Sequence, residues 1–297
     1  MYNTELYAFY AQESSSIYVD SSTLQGCGLS GCSSIYAHNS SIEWIGLVFY
    51  DSANATLTDL YTGLYPYWNL HLNETVEGVG YNLTLEDTNV MWGWNLYCGD
   101  HSNVKVDPSA ISWLQAWGQS TVSVCNSTVY WLYVWDSAAV SLHDSWLNEF
   151  LLRFRDAQKV VLRNLNPGFI RYWNIHVNGT AQGVSYNITL ADTWVRWAWD
   201  ITCSDQSNVA VYNSTLNSLY AYDYPSVSIY NSTIDSLQCY SFRGVLFFED
   251  AVLRWNWYIS SSQFYVSGNI RFINAWVNMV GNSVVTRNFN VVTLAIT

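Results

Sequence analysis

Two short segments of this sequence combine residue types that often meet in active sites. The first, "MWGWNLYCGD", ends at Asp100, and the second, "RWAWDITCSD", ends at Asp205. Both contain two tryptophans, a cysteine and an aspartate at identical spacing. A catalytic group normally acts once, within one asymmetric arrangement. The duplication therefore indicates a structural template, whose residues in the first copy are Trp92, Trp94, Cys98 and Asp100.

The histidines follow the same logic. His71 and His176 stand at equivalent positions of the two copies, and His38 and His143 form a second equivalent pair. His101 has no histidine counterpart. Because duplicated histidines several coils apart cannot share a metal ion or a substrate atom, we expect local hydrogen bonds to hold each one. We predict no catalytic residue, no cofactor and no metal site.

Adjacent acids are the nearest approach to an acid–base pair. They occur at Glu86–Asp87 and at Glu249–Asp250. Neighbouring residues on a strand point to opposite faces, so neither pair can act as a general acid and base by itself. Glu86 is moreover replaced by Ala191 in the next copy. We therefore expect a protein that is not an enzyme.

Six cysteines are present without any zinc-type pairing. Cys27 and Cys32 flank the short loop "GLSG". This spacing suits a local disulfide, and it suits two free or buried thiols equally well. The other four lie next to apolar residues in strand-like segments, where cysteine usually serves as a small hydrophobic residue; they are Cys98, Cys125, Cys203 and Cys239.

A long internal repeat dominates the organisation of the chain. The segment from Trp68 to Val106 matches the segment from Trp173 to Val211 without a gap, at an offset of 105 residues. The same offset relates "VSVCNSTV" to "VSIYNSTI" and holds from near residue 1 to about Ser267. A long period indicates stacked supersecondary units. We predict one domain over 1–297, with superrepeats of approximately 1–105, 106–210 and 211–297, the last with a divergent C-terminal end.

A finer period lies within each superrepeat. Short alternating runs of β-branched and aromatic residues, typical of strands, each reach a turn-forming residue. These turn residues recur at short and fairly even intervals, and they are Asn126, Asp144, Asn164, Asp192, Asn213 and Asn231. No window shows a convincing helical period. The pattern predicts an all-β, parallel β-helix (β-solenoid) with coils of about 18–28 residues, each coil being one repeated unit of the stack.

On these coil lengths and on the "VxVxNST" corners, the chain resembles the right-handed parallel β-helix repeat proteins of the pectin-lyase-like superfamily. Within it, the chain resembles non-catalytic extracellular β-solenoid or fibre proteins. Enzymes of that superfamily cleave acidic polysaccharides. Its hydrolases have an Asp-Asp pair, a His-Gly pair and a basic triplet, and this sequence contains none of them. A polysaccharide lyase or hydrolase is therefore the least favoured function.

Tryptophan and tyrosine are abundant enough to form a surface of their own. Exposed rings would stack on sugars, whereas buried rings would fill the core or form ladders between coils. We favour core filling and ladders for these residues, while an exposed row stays the alternative. The tryptophans concerned are Trp68, Trp92, Trp94, Trp113, Trp117, Trp131, Trp135, Trp173, Trp197 and Trp199.

The composition limits the partners and the location. With a net charge of −12, the chain lacks the basic face that nucleic acids or anionic lipids require. No apolar run is long enough to span a bilayer. Nine Asn-x-Ser/Thr triplets suggest a secreted glycoprotein, although a chain so rich in Asn, Ser and Thr produces some by chance. The candidate glycosylation sites are Asn39, Asn54, Asn73, Asn82, Asn126, Asn178, Asn187, Asn213 and Asn231.

Both ends of the sequence predict open strand edges. The start, "YNTELYAFYA", aligns with "YNSTLNSLYA" inside the repeat, and "NVVTLAIT" at the end is an uncharged strand candidate. Unpaired edges favour association, and unlike edges that meet without closing a ring form a filament. We expect an extracellular filament or surface subunit that binds itself head to tail. The alternative is a glycan-binding adhesin or tail-spike-like fibre.

Overall fold

The computed structural model describes the backbone of most residues from 3 to 295. The exceptions are 4, 8, 25–26, 31–32, 43–44, 52–53, 59, 63–67, 76–82, 87, 89–93, 148–150, 156–158, 168–172, 179–187, 194–198, 241–243, 261–262 and 281–282. Side-chain surroundings are described continuously over 10–23, 33–41, 95–147, 200–239 and 244–254, and in shorter runs elsewhere.

Every regular element in this part of the chain is a β-strand. Since no helix occurs there, none is available to cross a membrane within the described residues. The strands fall into two compact units, Met1–Asn148 and Glu149–Thr297. We call them unit 1 and unit 2. The single domain and three superrepeats expected from the sequence stay predictions.

Unit 1 contains short strands joined by tight corners. They are β1 (Glu5–Leu6), β2 (Phe9–Ala11), β3 (Ser16–Asp20), β4 (Thr23–Leu24), β5 (Cys27–Leu29), β6 (Ser34–His38), β7 (Ser41–Ile42), β8 (Ile45–Asp51), β9 (Asn54–Thr58), β10 (Tyr61–Thr62), β11 (Trp68–Thr75), β12 (Leu83–Glu86), β13 (Trp94–Cys98), β14 (Asn103–Val106), β15 (Ala110–Ala116), β16 (Thr121–Cys125), β17 (Thr128–Trp135), β18 (Ala139–His143) and β19 (Trp146–Leu147).

Unit 2 follows the same plan and ends in longer strands. They are β20 (Leu151–Arg155), β21 (Lys159–Arg163), β22 (Asn166–Pro167), β23 (Trp173–Asn178), β24 (Ile188–Ala191), β25 (Trp199–Cys203), β26 (Asn208–Tyr212), β27 (Thr215–Tyr222), β28 (Ser226–Tyr230), β29 (Thr233–Tyr240), β30 (Val245–Glu249), β31 (Val252–Ser260), β32 (Gln263–Val280) and β33 (Ser283–Ala295).

Each strand pairs in parallel with the equivalent strand one coil away. In unit 1, β14 pairs with β16 and β16 with β18, which places Val104, Val122 and Val140 in one row. In unit 2, Val160 pairs with Ile188 and Ile188 with Val209. These rows define a parallel β-solenoid and confirm the predicted fold class.

The register also gives the coil lengths. The step from Val122 to Val140 is a short coil of 18 positions, the same interval that separates other stacked pairs of unit 1. The step from Val160 to Ile188 is a long coil of 28 positions. From Ile188 to Val209 the coil has 21 positions. All three lengths agree with the spacing of turn residues in the sequence, so the long coil is an expanded version of the shorter ones and keeps their register.

The core consists of inward rows of medium-sized apolar residues. Leu96, Leu114 and Leu132 form one such row in unit 1 and are fully buried. Ile201, Leu219 and Leu237 form its counterpart in unit 2 and are equally buried. Each buried aliphatic side chain contributes roughly 1.5–3 kcal/mol to folding. Because the residues of a row differ little in size, successive coils stack with little change in volume.

Left-handed backbone conformations produce the corners between strands. The six turn residues expected from the sequence all have a positive φ, between 43° and 52°. Asn and Asp tolerate this region better than other non-glycine residues, because their short polar side chains bond to the nearby backbone. The corner positions read from the sequence are therefore confirmed, and they are Asn126, Asp144, Asn164, Asp192, Asn213 and Asn231.

A ladder of buried hydroxyl groups follows these corners. The backbone N–H of Ser109 donates to Ser127 Oγ at 3.0 Å, and the N–H of Ser127 donates to Ser145 Oγ at 3.3 Å. In unit 2, Thr193 N–H donates to Ser214 Oγ at 3.1 Å, and Ser214 N–H to Ser232 Oγ at 3.0 Å. These hydroxyls pair the amides that the corners leave without a strand partner.

The ladder hydroxyls are satisfied in both of their roles. Ser127 Oγ donates to the carbonyl of Cys125, and Ser145 Oγ donates to the carbonyl of His143. Each hydroxyl thus closes its own turn while it accepts from the preceding coil. The arrangement explains why Ser or Thr so often follows the corner Asn or Asp in this sequence.

A second row of buried serines behaves differently. The hydroxyl oxygens of Ser102 and Ser120 are buried and have no hydrogen-bond partner among the described residues. The next position in this row is Ala138, which is also fully buried. The row therefore requires a small side chain rather than a hydroxyl group.

The two serine rows predict different effects of a serine-to-alanine substitution on the free energy of unfolding. Ser127→Ala leaves the buried N–H of Ser109 without its acceptor, which costs about 1–3 kcal/mol of unfolding free energy. Ser120→Ala, the matched control, removes a hydroxyl that lacks a partner and is expected to be neutral or slightly stabilising. Chemical denaturation followed by circular dichroism measures both. Equal losses in the two variants would contradict the ladder.

Candidate functional site

The histidines occupy separate local environments. His38 Nδ1 lies 2.9 Å from Asp20 Oδ1, and the ring of His71 stacks on Tyr97 with centroids 4.4 Å apart. Burial lowers the pKa of His71. His143 Nε2 bonds to Ser141 Oγ two residues away on the same strand. The expected local hydrogen bonds are confirmed for His38 and His143, which are equivalent positions and use different partners. For His71 the contact is the ring of Tyr97.

The adjacent acids do not form carboxylate pairs where the structure describes them. Glu86 Oε1 binds Lys105 Nζ at 3.1 Å between neighbouring coils, and Asp87 lies outside the described residues. Asp250 adopts the left-handed corner conformation, and Glu249 ends strand β30. Within the described part of the chain, no three His, Cys, Asp or Glu side chains gather closely enough to hold a metal ion.

The repeated Trp-Trp-Cys-Asp segment takes the form of a coil template. Cys98 and Cys203 are buried at the ends of equivalent strands, and Asp100 and Asp205 form equivalent left-handed turns. Trp94 pairs with Trp68 through the backbone; its own side chain and the whole of Trp92 lie outside the described residues. The duplication thus reflects the repeated positions of the solenoid.

Three of the free cysteines are core residues, as the sequence predicts. Burial raises the pKa of the thiols of Cys98, Cys203 and Cys239. The prediction is wrong for Cys125, whose side chain is half-buried at a corner. Here burial, followed by the charges of Asp107 and Asp144, raises the pKa of the thiol. The candidate disulfide between Cys27 and Cys32 lies outside the described residues.

Four candidate glycosylation sites occupy corners, where their amides form a polar ladder. Asn126 Nδ2 donates to Asp107 Oδ1, and Asn39 Nδ2 donates to Ser21 Oγ. Asn213 Nδ2 donates to Asp192 Oδ1, and Asn231 Nδ2 donates to Asn213 Oδ1. The corner and the hydroxyl ladder therefore account for these Asn-Ser-Thr or Asn-Ser-Ser triplets structurally. Attachment of glycans stays a prediction for all nine sites.

Aromatic side chains form stacks on the outer face of unit 1. Trp113 stacks against two rings of the next coil, with centroids 5.6 Å from Trp131 and 5.1 Å from Tyr133. A second stack joins Trp117 to Trp135, with centroids 5.9 Å apart. Such pairs contribute about 0.5–1.5 kcal/mol each beyond their burial. The ladders expected from the sequence are confirmed for these four tryptophans.

Core filling by the same tryptophans is wrong. None of the four is buried, because Leu114 and Leu132 occupy the inward positions beside them. Strand β17 departs from simple alternation, because two consecutive residues, Tyr130 and Trp131, are exposed at 39% and 41% of their surface. Residues on the outside of a sheet keep a surface that a partner can reach.

A further aromatic residue, Trp146, extends this surface. Trp146 is 54% exposed and pairs through the backbone with Thr128, which points outward two residues before Tyr130. We call Trp113, Tyr130, Trp131, Tyr133 and Trp146 the aromatic corner. The sequence interpretation missed Tyr130, Tyr133 and Trp146. Alternation with the inward residues Leu132 and Val134 is the signal that would have placed Tyr133 outside, whereas it would have placed Tyr130 inside.

Unit 2 has no such surface at the equivalent positions. One superrepeat later, Trp113 is replaced by Ser218, and Trp131 by Ser236. Tyr130 is replaced by Asp235, a carboxylate with 1% exposure that lies 3.7 Å from Arg254. The inward residues keep their apolar character in both units. The coil therefore folds without these aromatic rings, which makes the aromatic corner a feature added to the template.

The chemistry available at the aromatic corner is recognition rather than reaction. Its five side chains offer ring faces and edges, two indole N–H groups at Trp131 and Trp146, and the two tyrosine hydroxyls. No carboxylate, amine, imidazole or thiol belongs to it. Comparisons with protein-family models, curated proteins and solved structures found no match. The class that the fold defines is therefore a parallel β-solenoid, without assignment to a family.

The second tryptophan stack predicts a coupled pair of substitutions. A Cβ atom at Gly99 would lie 2.7 Å from the indole of Trp117, whereas unit 2 has Ser204 beneath the smaller Tyr222. We expect Gly99→Ser alone to cost about 1–3 kcal/mol by overpacking. In the Gly99→Ser/Trp117→Tyr double variant, part of this loss should be recovered. Unfolding free energies that simply add would contradict the steric contact.

The burial of the cysteines predicts different rates of alkylation at the individual thiols. Iodoacetamide should leave Cys98, Cys203 and Cys239 unmodified in the folded protein near neutral pH and modify Cys125 slowly, since a raised pKa reduces the thiolate fraction. Mass spectrometry of the labelled peptides measures each site. Full labelling in denaturant is the control, and rapid labelling of Cys98 in the folded state would contradict its burial.

Proposed function

We propose that this protein is a non-catalytic structural subunit of an extracellular filament or surface assembly, in which copies stack head to tail. The observation that supports it most directly is the pairing of the outermost strand of unit 2. Strand β33 pairs along one edge with β32, from Gln263 opposite Ser283 to Ile273 opposite Ala295. No other described residue pairs with β33.

The first strands of unit 1 also pair along one edge only among the described residues. Strands β1, β2 and β3 pair with β4, β5 and β6 respectively, and with no other described strand. A parallel strand edge bonds readily to another extended chain. Because the two edges are unlike, the contact between copies is heterologous and produces a filament if it does not close.

The surface chemistry supports a load-bearing role outside the cell. Several of the described histidines and acids form local pairs, such as His38 with Asp20 and Glu86 with Lys105, and no three described His, Cys, Asp or Glu side chains cluster as a metal site would require. Burial and a raised pKa are expected to protect the thiols of Cys98, Cys203 and Cys239, which is compatible with an oxidising exterior. With only 11 Lys and Arg residues in the chain, few cations are available for binding anionic partners.

Removal of the outer strand tests the assembly. Deleting Asn290–Thr297 should abolish fibres in negative-stain images and leave a discrete species in sedimentation. Where the deletion prevents folding, Val291→Lys/Thr293→Lys provides a milder change, since charges on an edge strand oppose pairing. Tyr224→Ser, an exposed change away from the edge, is the matched control.

Two results would contradict the proposal. The first is that the unaltered protein stays a single copy at every concentration imaged. The second is that the edge variants form the same fibres as the unaltered protein. Sedimentation at several protein concentrations distinguishes these results from slow assembly, because a filament equilibrium shifts with concentration.

A further inference from the structure

We propose that the aromatic corner of unit 1 binds an uncharged polysaccharide chain. This inference does not rest on head-to-tail assembly. The side chains of the aromatic corner project from the outer face of the sheet, whereas assembly would use the hydrogen-bonding edges of the outermost strands. It begins from the difference between the two units. Unit 2 folds the same coil with Ser218 and Ser236 where unit 1 has Trp113 and Trp131.

Three side chains of the aromatic corner are exposed to solvent, although the coil does not need them in order to fold. Trp146 is 54% exposed, Trp131 41% and Tyr130 39%, and these residues come from neighbouring coils of one face. Leaving large apolar rings in water is unfavourable, and a clustered apolar patch on a soluble protein usually marks an interaction site. Tryptophan and tyrosine are also the residues that most often dominate binding energy at such sites.

The rings of the aromatic corner are also held in place by stacking and by strand pairing. Trp113 stacks against both Trp131 and Tyr133, with interplanar angles of 27° in each case. The backbones of Trp113 and Trp131 are held in register by parallel pairing of β15 with β17. The rings are thus fixed before a ligand arrives, so binding does not have to order them.

Charge identifies the ligand class. No residue of the aromatic corner is charged, and the whole chain has a net charge of −12. This field repels anionic polymers, and it also opposes lateral contact between two copies of the chain. Sugars suit the rings because each pyranose presents C–H groups on its face and hydroxyls at its rim, matching apolar rings with polar edges. An uncharged glycan therefore fits better than a second copy or an acidic one.

Binding to immobilised polysaccharides provides the test. Biolayer interferometry would use hydroxyethyl cellulose and galactomannan as uncharged probes and polygalacturonate as the anionic probe. We expect the unaltered protein to bind at least one uncharged probe, with little change between low and high salt. Polygalacturonate should bind at least tenfold more weakly.

The Trp131→Ser variant introduces the residue that unit 2 has at the equivalent position, Ser236. Trp131→Ser should weaken binding at least tenfold, which corresponds to about 1.4 kcal/mol. Tyr130→Ser should weaken it independently, and serves where Trp131→Ser lowers stability. Tyr224→Ser, at a tyrosine that is 54% exposed in unit 2, is the matched control and should bind as the unaltered protein does. Circular dichroism establishes that each variant is folded.

Several results would overturn the inference. They are failure to bind either uncharged probe, equal or stronger binding of polygalacturonate, unchanged binding of both aromatic-corner variants, and equal loss in Tyr224→Ser. A fifth is side-by-side association of copies that Trp131→Ser abolishes without any effect on polysaccharide binding, because the occupant would then be a second copy. None of these results bears on filament formation, which the edge variants test separately.

Discussion

Hydrogen bonding between parallel coils is the constraint on which the structure depends. It places each residue directly over its counterpart one coil away, so every side chain has a neighbour of the same register above and below. A row is stable only if its members suit one another, as Leu96, Leu114 and Leu132 do in the core. The same rule applies to polar residues. The hydroxyl ladder survives in a buried position because each rung supplies the acceptor that its neighbour needs.

This constraint acts unequally on the two faces of the sheet. Inward rows are limited by volume, so unit 1 and unit 2 keep closely similar residues there. In outward rows, the residue type is limited only by its fit to the side chain at the same position of the neighbouring coil. Unit 1 fills them with Trp113 and Trp131, while unit 2 uses Ser218 and Ser236 with a buried Asp235 nearby. A duplicated template can therefore acquire a new surface without losing its core.

The sequence was most informative where register repeats. The corner residues Asn126 and Asp192, and the length of the long coil, were all predicted because a left-handed turn restricts residue type strongly. Orientation was harder. Trp113 and Leu114 are adjacent and both apolar, and hydrophobicity alone does not distinguish the inward from the outward residue. The exposure of both Tyr130 and Trp131 interrupts simple alternation, and no residue type in the sequence marks this interruption.

The hydroxyl ladder has a direction. In both units the amide of the earlier coil donates to the hydroxyl of the later one, as Ser109 does to Ser127 and Thr193 does to Ser214. A stack built in this way has chemically distinct poles, since one terminates in acceptors and the other in donors. Only a polar arrangement of successive stacks continues the sequence of donors and acceptors, whereas an inverted neighbour would place like groups against each other. The hydroxyl residues that follow many of the corners thus give the stacked coils a direction, in addition to closing the turns.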